Sequence, residues 1–110
     1  MKPDNWDKLF GPLFGAVGRA GKDRLTAHFR KYNPLDLART LPEDSLKKVR
    51  LYIDCGDDDF LIKANCALHA VLLDRKIPHE FRVRDGGHTW SYWRSGIVEG
   101  LKFIGQSFHR

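Results

Sequence analysis

The sequence predicts a mixed α/β fold, with two parallel strands joined by a crossover helix and followed by a C-terminal helix. Three observations carry that expectation. The run Val49–Asp54 is rich in β-branched and aromatic residues, is short, and stops at Cys55-Gly56, as a buried strand does. Phe60–Arg75 places Leu61, Ala64, Leu68, Val71 and Leu72 at helical spacing with further apolar residues beside them, which marks a largely covered helix. His79–Arg84 then alternates polar and apolar residues with Phe81 and Val83 on one face, the pattern of a half-exposed strand at a sheet edge. A helical crossover between two strands favours parallel pairing in a right-handed unit.

The remaining elements come in chain order. Glycines crowd Phe10–Gly18, so that stretch is expected to be a loop laying aromatics on a surface. Asp23–Tyr32 suits a short helix that Asn33-Pro34 breaks, because the residue before proline is pushed out of the α region. Leu35–Arg39 permits another turn, and Pro42-Glu43-Asp44 restarts the chain. Asp58 or Asp59 stands where it would cap the crossover helix. Lys76-Ile77-Pro78 ends that helix, Asp85-Gly86-Gly87-His88 forms a tight loop, and Ser91–Phe108 carries Ile97, Leu101, Ile104 and Phe108 on one helical stripe. The expected organisation is a single partial domain, residues 1–110. Residues 1–48 form a loop and helical covering segment, and residues 49–110 the βαβα part.

Composition narrows the function classes. The chain has 110 residues, 42% of them hydrophobic and 12% aromatic, which fits one small domain or part of one. Its two cysteines, Cys55 and Cys66, make no disulfide framework, and a reducing, cytoplasmic setting is the plainer expectation. No apolar run approaches the roughly 18 residues a membrane span needs, and residues 1–7 lack the apolar core of a secretory signal. The net charge of +5 lies wholly in the first half, where residues 1–50 hold 11 basic and 6 acidic side chains. Arg19, Lys22, Arg24, Arg30 and Lys31 would suit an anion or nucleic-acid patch. A solvated helical face outweighs that reading, because no aromatic or base-reading pattern accompanies the charge.

In open parallel sheets, functional groups gather in loops outside the carboxyl ends of the strands. Two such loops exist here, Gly56-Asp57-Asp58-Asp59 and Asp85-Gly86-Gly87-His88, and adjacent strands would bring them together. A carboxylate accepting from one imidazole nitrogen fixes the tautomer and leaves the other nitrogen to take a proton from a nucleophile. Taken singly, each loop reads more simply as a helix start or a glycine turn. Their joint occurrence on consecutive strands, acid before histidine, is what raises the catalytic reading.

The residues Leu51–Leu61, with Ile77-Pro78-His79-Glu80-Phe81 and Gly87-His88-Thr89-Trp90-Ser91-Tyr92-Trp93, resemble the C-terminal part of an esterase family of the α/β-hydrolase fold. That family includes esterase D, S-formylglutathione hydrolases, tributyrin esterases and feruloyl-esterase-like enzymes. The resemblance covers about the last two-thirds of the chain, and Leu9-Phe10-Gly11 and Asn33-Pro34 also suit the segment ahead of the acid strand. It implies that Asp59, third after Gly56, is the triad acid, with Asp58 as rival because three consecutive aspartates let the register slip by one. It implies His88 as general base, with Thr89, Trp90 and Trp93 packing and orienting it and Cys55 packing beneath. The substrate it implies is a small acyl ester or thioester, with no cofactor and no metal.

One part of the family pattern is missing. The nucleophile of such enzymes sits in a Gly-x-Ser-x-Gly elbow upstream of the acid. The serines here are Ser45, Ser91, Ser95 and Ser107, and none lies in that frame; Ser95-Gly96 falls inside the last helix. An acid and a base without a nucleophile perform no covalent acyl transfer, so the chain is expected to read as the last segment of a hydrolase and to be inactive alone. A strand left without its second neighbour is also expected to promote self-association through its unpaired edge. Two alternatives stand beside this reading. One is a non-catalytic interaction or anion-binding domain derived from an esterase. The other, the weaker, is a hard-cation site built from Asp54, Asp57, Asp58, Asp59 and His88.

Overall fold

The structure, a computed structural model, describes residues 3–108. Its backbone falls into two compact units, Met1–Thr40 and Leu41–Arg110. The change of sequence texture comes later, after Lys48. Residues 41–48 belong to the second unit, and the Arg75 guanidinium donates to the Leu41 carbonyl at 2.6 Å.

The first unit is helical, with α1 (Pro3–Leu9), α2 (Gly11–Phe14), a 3-10 turn at Gly21–Arg24, α3 (Ala27–Tyr32) and α4 (Pro34–Thr40). Two expectations are corrected. Phe10–Gly18 contains a helical turn, α2, which starts with proline in its first turn and stops at Gly15, whose φ of 65° closes it. The helix expected over Asp23–Tyr32 is split in two. Thr26 takes an extended conformation and its Oγ1 accepts from the Phe29 N–H at 3.1 Å, so a capping bond competes with continued helix and wins. The same hydroxyl donates to the Phe14 carbonyl at 2.6 Å. Phe14 meets Phe29 edge-on with centroids 4.9 Å apart, and Phe10 stacks on Phe14 at 6.2 Å.

The second unit runs α5 (Glu43–Lys47), β1 (Leu51–Gly56), α6 (Ile62–Asp74), β2 (His79–Arg84) and α7 (Trp90–Gly105). β1 and β2 pair in parallel, from Leu51 opposite His79 to Gly56 opposite Arg84. Among the described residues β1 has this one strand neighbour. The strand begins and ends two residues later than expected, taking in Cys55 and Gly56, both buried. The last strand position is glycine for a steric reason, since a Cβ on Gly56 would stand 2.2 Å from the Gly86 carbonyl oxygen.

α6 covers one face of β1, where the Asn65 amide approaches the Cys55 sulfur at 3.5 Å. Its coverage is narrower than expected: Leu72 is 1% exposed, Leu68 and Val71 are half-buried, but Ala64 and Leu61 face solvent. The helix ends in a Schellman turn. Lys76 adopts φ 57°, its N–H bonds the Leu73 carbonyl, and the Ile77 N–H bonds that of Leu72. That turn folds Ile77, 2% exposed, onto the same small core as Leu72 and Cys55.

α7 covers the other face, and here the expected contact stripe is corrected. Ile97, Leu101, Ile104 and Phe108 are 54–79% exposed. The face toward β1 is instead Tyr92, Gly96, Gly100 and Phe103. Gly96 lies against Asp54 and Arg84, Gly100 against the Tyr52 ring, and Phe103 meets Tyr52 with centroids 5.3 Å apart. Two glycines four residues apart let the helix approach the strand closely, and a hydrophobicity stripe does not register glycines. Arg50 secures the far end, bonding the Phe103 carbonyl, Gln106 and Ser107. Among the described residues no helix is long and apolar enough to cross a membrane.

Candidate active site

Parallel pairing puts the carboxyl ends of β1 and β2 at the same end of the sheet, so the loops that leave them meet. They are tied by backbone bonds. The Asp57 N–H donates to the Arg84 carbonyl and the Asp58 N–H to the Gly86 carbonyl, both at 2.9 Å, while the Gly86 N–H donates to the Asp57 carboxylate at 3.2 Å. Gly86 has φ 138°, a conformation reserved for glycine.

Across this seam Asp59 Oδ2 lies 2.9 Å from His88 Nδ1, and Asp59 Oδ1 accepts from the Leu61 N–H at 2.9 Å. The acid is buried, its side chain 6% exposed, while the imidazole is 42% exposed. The Leu61 N–H above all, and after it the His88 hydrogen bond and charge, hold the Asp59 carboxyl below the usual range against the opposing effect of burial. An ionised carboxylate only accepts, so Nδ1 of His88 carries the proton and the neutral ring keeps a lone pair on Nε2. Trp93 meets the imidazole edge-on at 4.7 Å and Phe60 tilts against it at 5.1 Å. Trp90 is 74% exposed and packs edge-on against Trp93. Thr89 Oγ1 accepts from the Tyr92 N–H at 3.3 Å, starting α7 directly after the histidine.

The three consecutive aspartates do three different things. Asp57 holds the Gly86 N–H, Asp59 meets His88, and Asp58 faces solvent. Neither Asp58 nor Asp59 caps α6, which begins after Leu61 with no side-chain cap. Asp57, Asp58 and Asp85 bring carboxylate oxygens within 4.8 Å of one another, all exposed, and could hold a cation. Asp54 and Asp59 stand apart from that group, so the five-residue cation site is not assembled as the sequence allowed. Ser95 lies inside α7, its hydroxyl bonded to the Ser91 carbonyl.

Sequence reasoning missed what Asp54 does. Its side chain is 14% exposed and accepts from Arg84 at 2.8 Å, from the Tyr52 hydroxyl at 3.0 Å and from the Tyr92 hydroxyl at 2.5 Å. Burial, then the bond to Asp54, pushes the Tyr92 phenol up to about 12, and the same two causes raise that of Tyr52. Tyr52 and Asp54 at two-residue spacing, facing Tyr92, Gly96 and Gly100 at four-residue spacing, were the available signal. Cys55 lies on the opposite face, its thiol pushed up chiefly by burial.

An acetyl esterase from Caldicellulosiruptor saccharolyticus is 31% identical over 55 residues, which is 50% of this chain and 21% of that protein. A ferulic acid esterase structure superimposes with a TM-score of 0.61 at 36% identity, covering 64% of this chain and 28% of its own. Over part of its length the chain resembles esterases of the α/β-hydrolase type. It spans only about a quarter of the length of these esterases. No protein-family profile matches it.

Proposed function

We propose that this esterase-like chain carries the acid and the base of a serine carboxylic-ester or thioester hydrolase, with Asp59 as acid and His88 as base. One observation carries the reading: a buried carboxylate bonded to Nδ1 of a half-exposed imidazole, where the carboxyl ends of two neighbouring parallel strands meet. The serine is supplied by residues outside this sequence. Its hydroxyl would lose a proton to His88 Nε2 as the oxygen attacks the acyl carbonyl, and the imidazolium so formed would return that proton to the leaving oxygen or sulfur. Asp59, kept ionised by the Leu61 N–H, would hold the tautomer and stabilise the imidazolium. Asp58 has no part in the relay. The unpaired side of β1 is where the rest of the sheet would join.

A fluorophosphonate probe tests this. The 110-residue chain alone is expected to stay unlabelled, whereas a longer polypeptide that also contains a Gly-x-Ser-x-Gly elbow is expected to label. In that longer protein Asp59→Asn should lower turnover about 10⁴-fold, and His88→Ala should abolish it with the fold retained. Labelling unchanged by both substitutions would overturn the reading.

A further inference from the structure

We infer that Tyr92 is a positioning residue for His88, holding the histidine loop with its ring while its phenol is anchored on Asp54. The inference rests on the acid and base reading above. Gly86, two residues ahead of the histidine, is gripped from two sides. On one side lie the Asp57 carboxylate and the Asp58 N–H. On the other lies the Tyr92 ring, so close that a Cβ on Gly86 would stand 2.7 Å from its Cδ2. The ring is itself fixed at both ends. Its backbone N–H donates to Thr89 and its hydroxyl to Asp54 Oδ1.

Asp54 is an unusual anchor for a strand facing a helix. A carboxylate withdrawn from most of its water is costly unless every oxygen has donors, and here the donors come from β1 (Tyr52), β2 (Arg84) and α7 (Tyr92). Gly96, one turn after Tyr92, leaves room for the carboxylate and guanidinium: a Cβ there would meet them at 3.3 and 3.2 Å. The three donors meet only when α7 has one register against the sheet, and that register sets where the Tyr92 ring presses on Gly86. An apolar residue in place of Asp54 would fill the space without selecting the register. The network touches no substrate and acts through the loop alone.

The test uses the ¹⁵N-labelled 110-residue chain, with the His88 tautomer read from its ring nitrogen shifts and loop order from amide exchange at Asp58. Wild type is expected to show the Nδ1–H form. Tyr92→Phe keeps the ring but frees it from Asp54, and should mix the two tautomers and speed Asp58 exchange about tenfold, the worth of one hydrogen bond. Asp54→Asn should move both readouts the same way. Tyr52→Phe removes a donor from the same carboxylate, but Arg84 still holds that oxygen and the Tyr52 ring lies elsewhere, so both readouts should stay as in wild type. Asp59→Asn should shift the tautomer without changing Asp58 exchange. Tyr92→Phe spectra that match wild type, or match those of a disturbed Tyr52→Phe, overturn the positioning role while leaving the Asp59–His88 pair intact. An Asp59→Asn spectrum with an unmoved tautomer instead overturns the acid and base reading.

Discussion

The two ends of the strand pair each hold a histidine in a side-chain hydrogen bond, and the bonds leave the two rings with different chemistry. At the carboxyl end His88 faces a carboxylate, which fixes the proton on Nδ1 and leaves Nε2 basic. At the amino end His79, the first residue of β2, approaches His69 of α6 with 2.7 Å between its Nε2 and His69 Nδ1. Its Nδ1 lies 2.9 Å from the Ile77 carbonyl, which only accepts, so in neutral rings Nε2 of His79 must accept from His69. Both nitrogens of His79 are therefore committed, and the partner ring stacks on Phe81 at 4.4 Å. One histidine, beside a carboxylate, keeps a ring nitrogen free of protein partners among the described residues, and the other joins helix to strand. The presence of an imidazole at a sheet end says little; what accepts from it says a great deal.

The largest break in that contrast should come from Gly56→Ala. The added Cβ would meet backbone, the Gly86 carbonyl, at 2.2 Å, so no rotamer change relieves it. The seam must open, with an expected loss of about 3 kcal/mol in urea unfolding and loss of the Asp59–His88 bond. The His69–His79 pair lies at the far end of the same strands and should keep its ring nitrogen shifts. Loss of both pairs together would mean that the two ends are one cooperative unit.

The pH dependence of stability sharpens the same contrast, because the carboxyl end contains Asp59, held low, and Tyr92, held high. Asp59 is held low, so its contribution is complete above the ordinary carboxylate value of about 4 and is lost as pH falls through its depressed native value. Tyr92 is held high, so its contribution is complete below about 10 and is lost as pH rises toward 12, by about 2 kcal/mol at the top of that window. Asp59→Asn should flatten the acid limb and Tyr92→Phe the alkaline limb in chemical unfolding followed across pH. If neither limb moves, these groups do not govern stability.

Much of this arrangement is legible in the sequence. Val49–Asp54 and His79–Arg84 announced strands through β-branched content and alternation, and the order of Asp59 and His88 on consecutive strands announced that their loops would meet. Other features were hidden for physical reasons. The Asp54 network is closed by a bond between residues 38 positions apart, and the spacings within β1 and within α7 do not by themselves say that the two faces meet. The covered face of α7 is made by Gly96 and Gly100, whose value lies in what they lack, while the more hydrophobic Ile97, Leu101 and Ile104 point to solvent. Thr26 broke a helix through a side-chain cap that periodicity does not see. Contacts along the chain could be read; contacts made by close approach across it could not.

The smallest expected effect lies at the amino end. Lys76 holds φ 57° at the position after the α6 cap, where a Cβ crowds the following carbonyl and glycine is the usual occupant. The turn survives because the Lys76 and Ile77 N–H groups bond the Leu73 and Leu72 carbonyls and because Ile77 folds onto the core beside Leu72. Lys76→Gly should relieve the strain and keep both bonds, for a net gain of about 0.5 to 1 kcal/mol after the extra chain entropy of glycine. The gain should appear in urea unfolding with His88 and Asp59 signals unchanged, since the turn leads into the end of β2 that bears His79. A destabilised variant would show that the Lys76 side chain makes a contact worth more than the strain it causes.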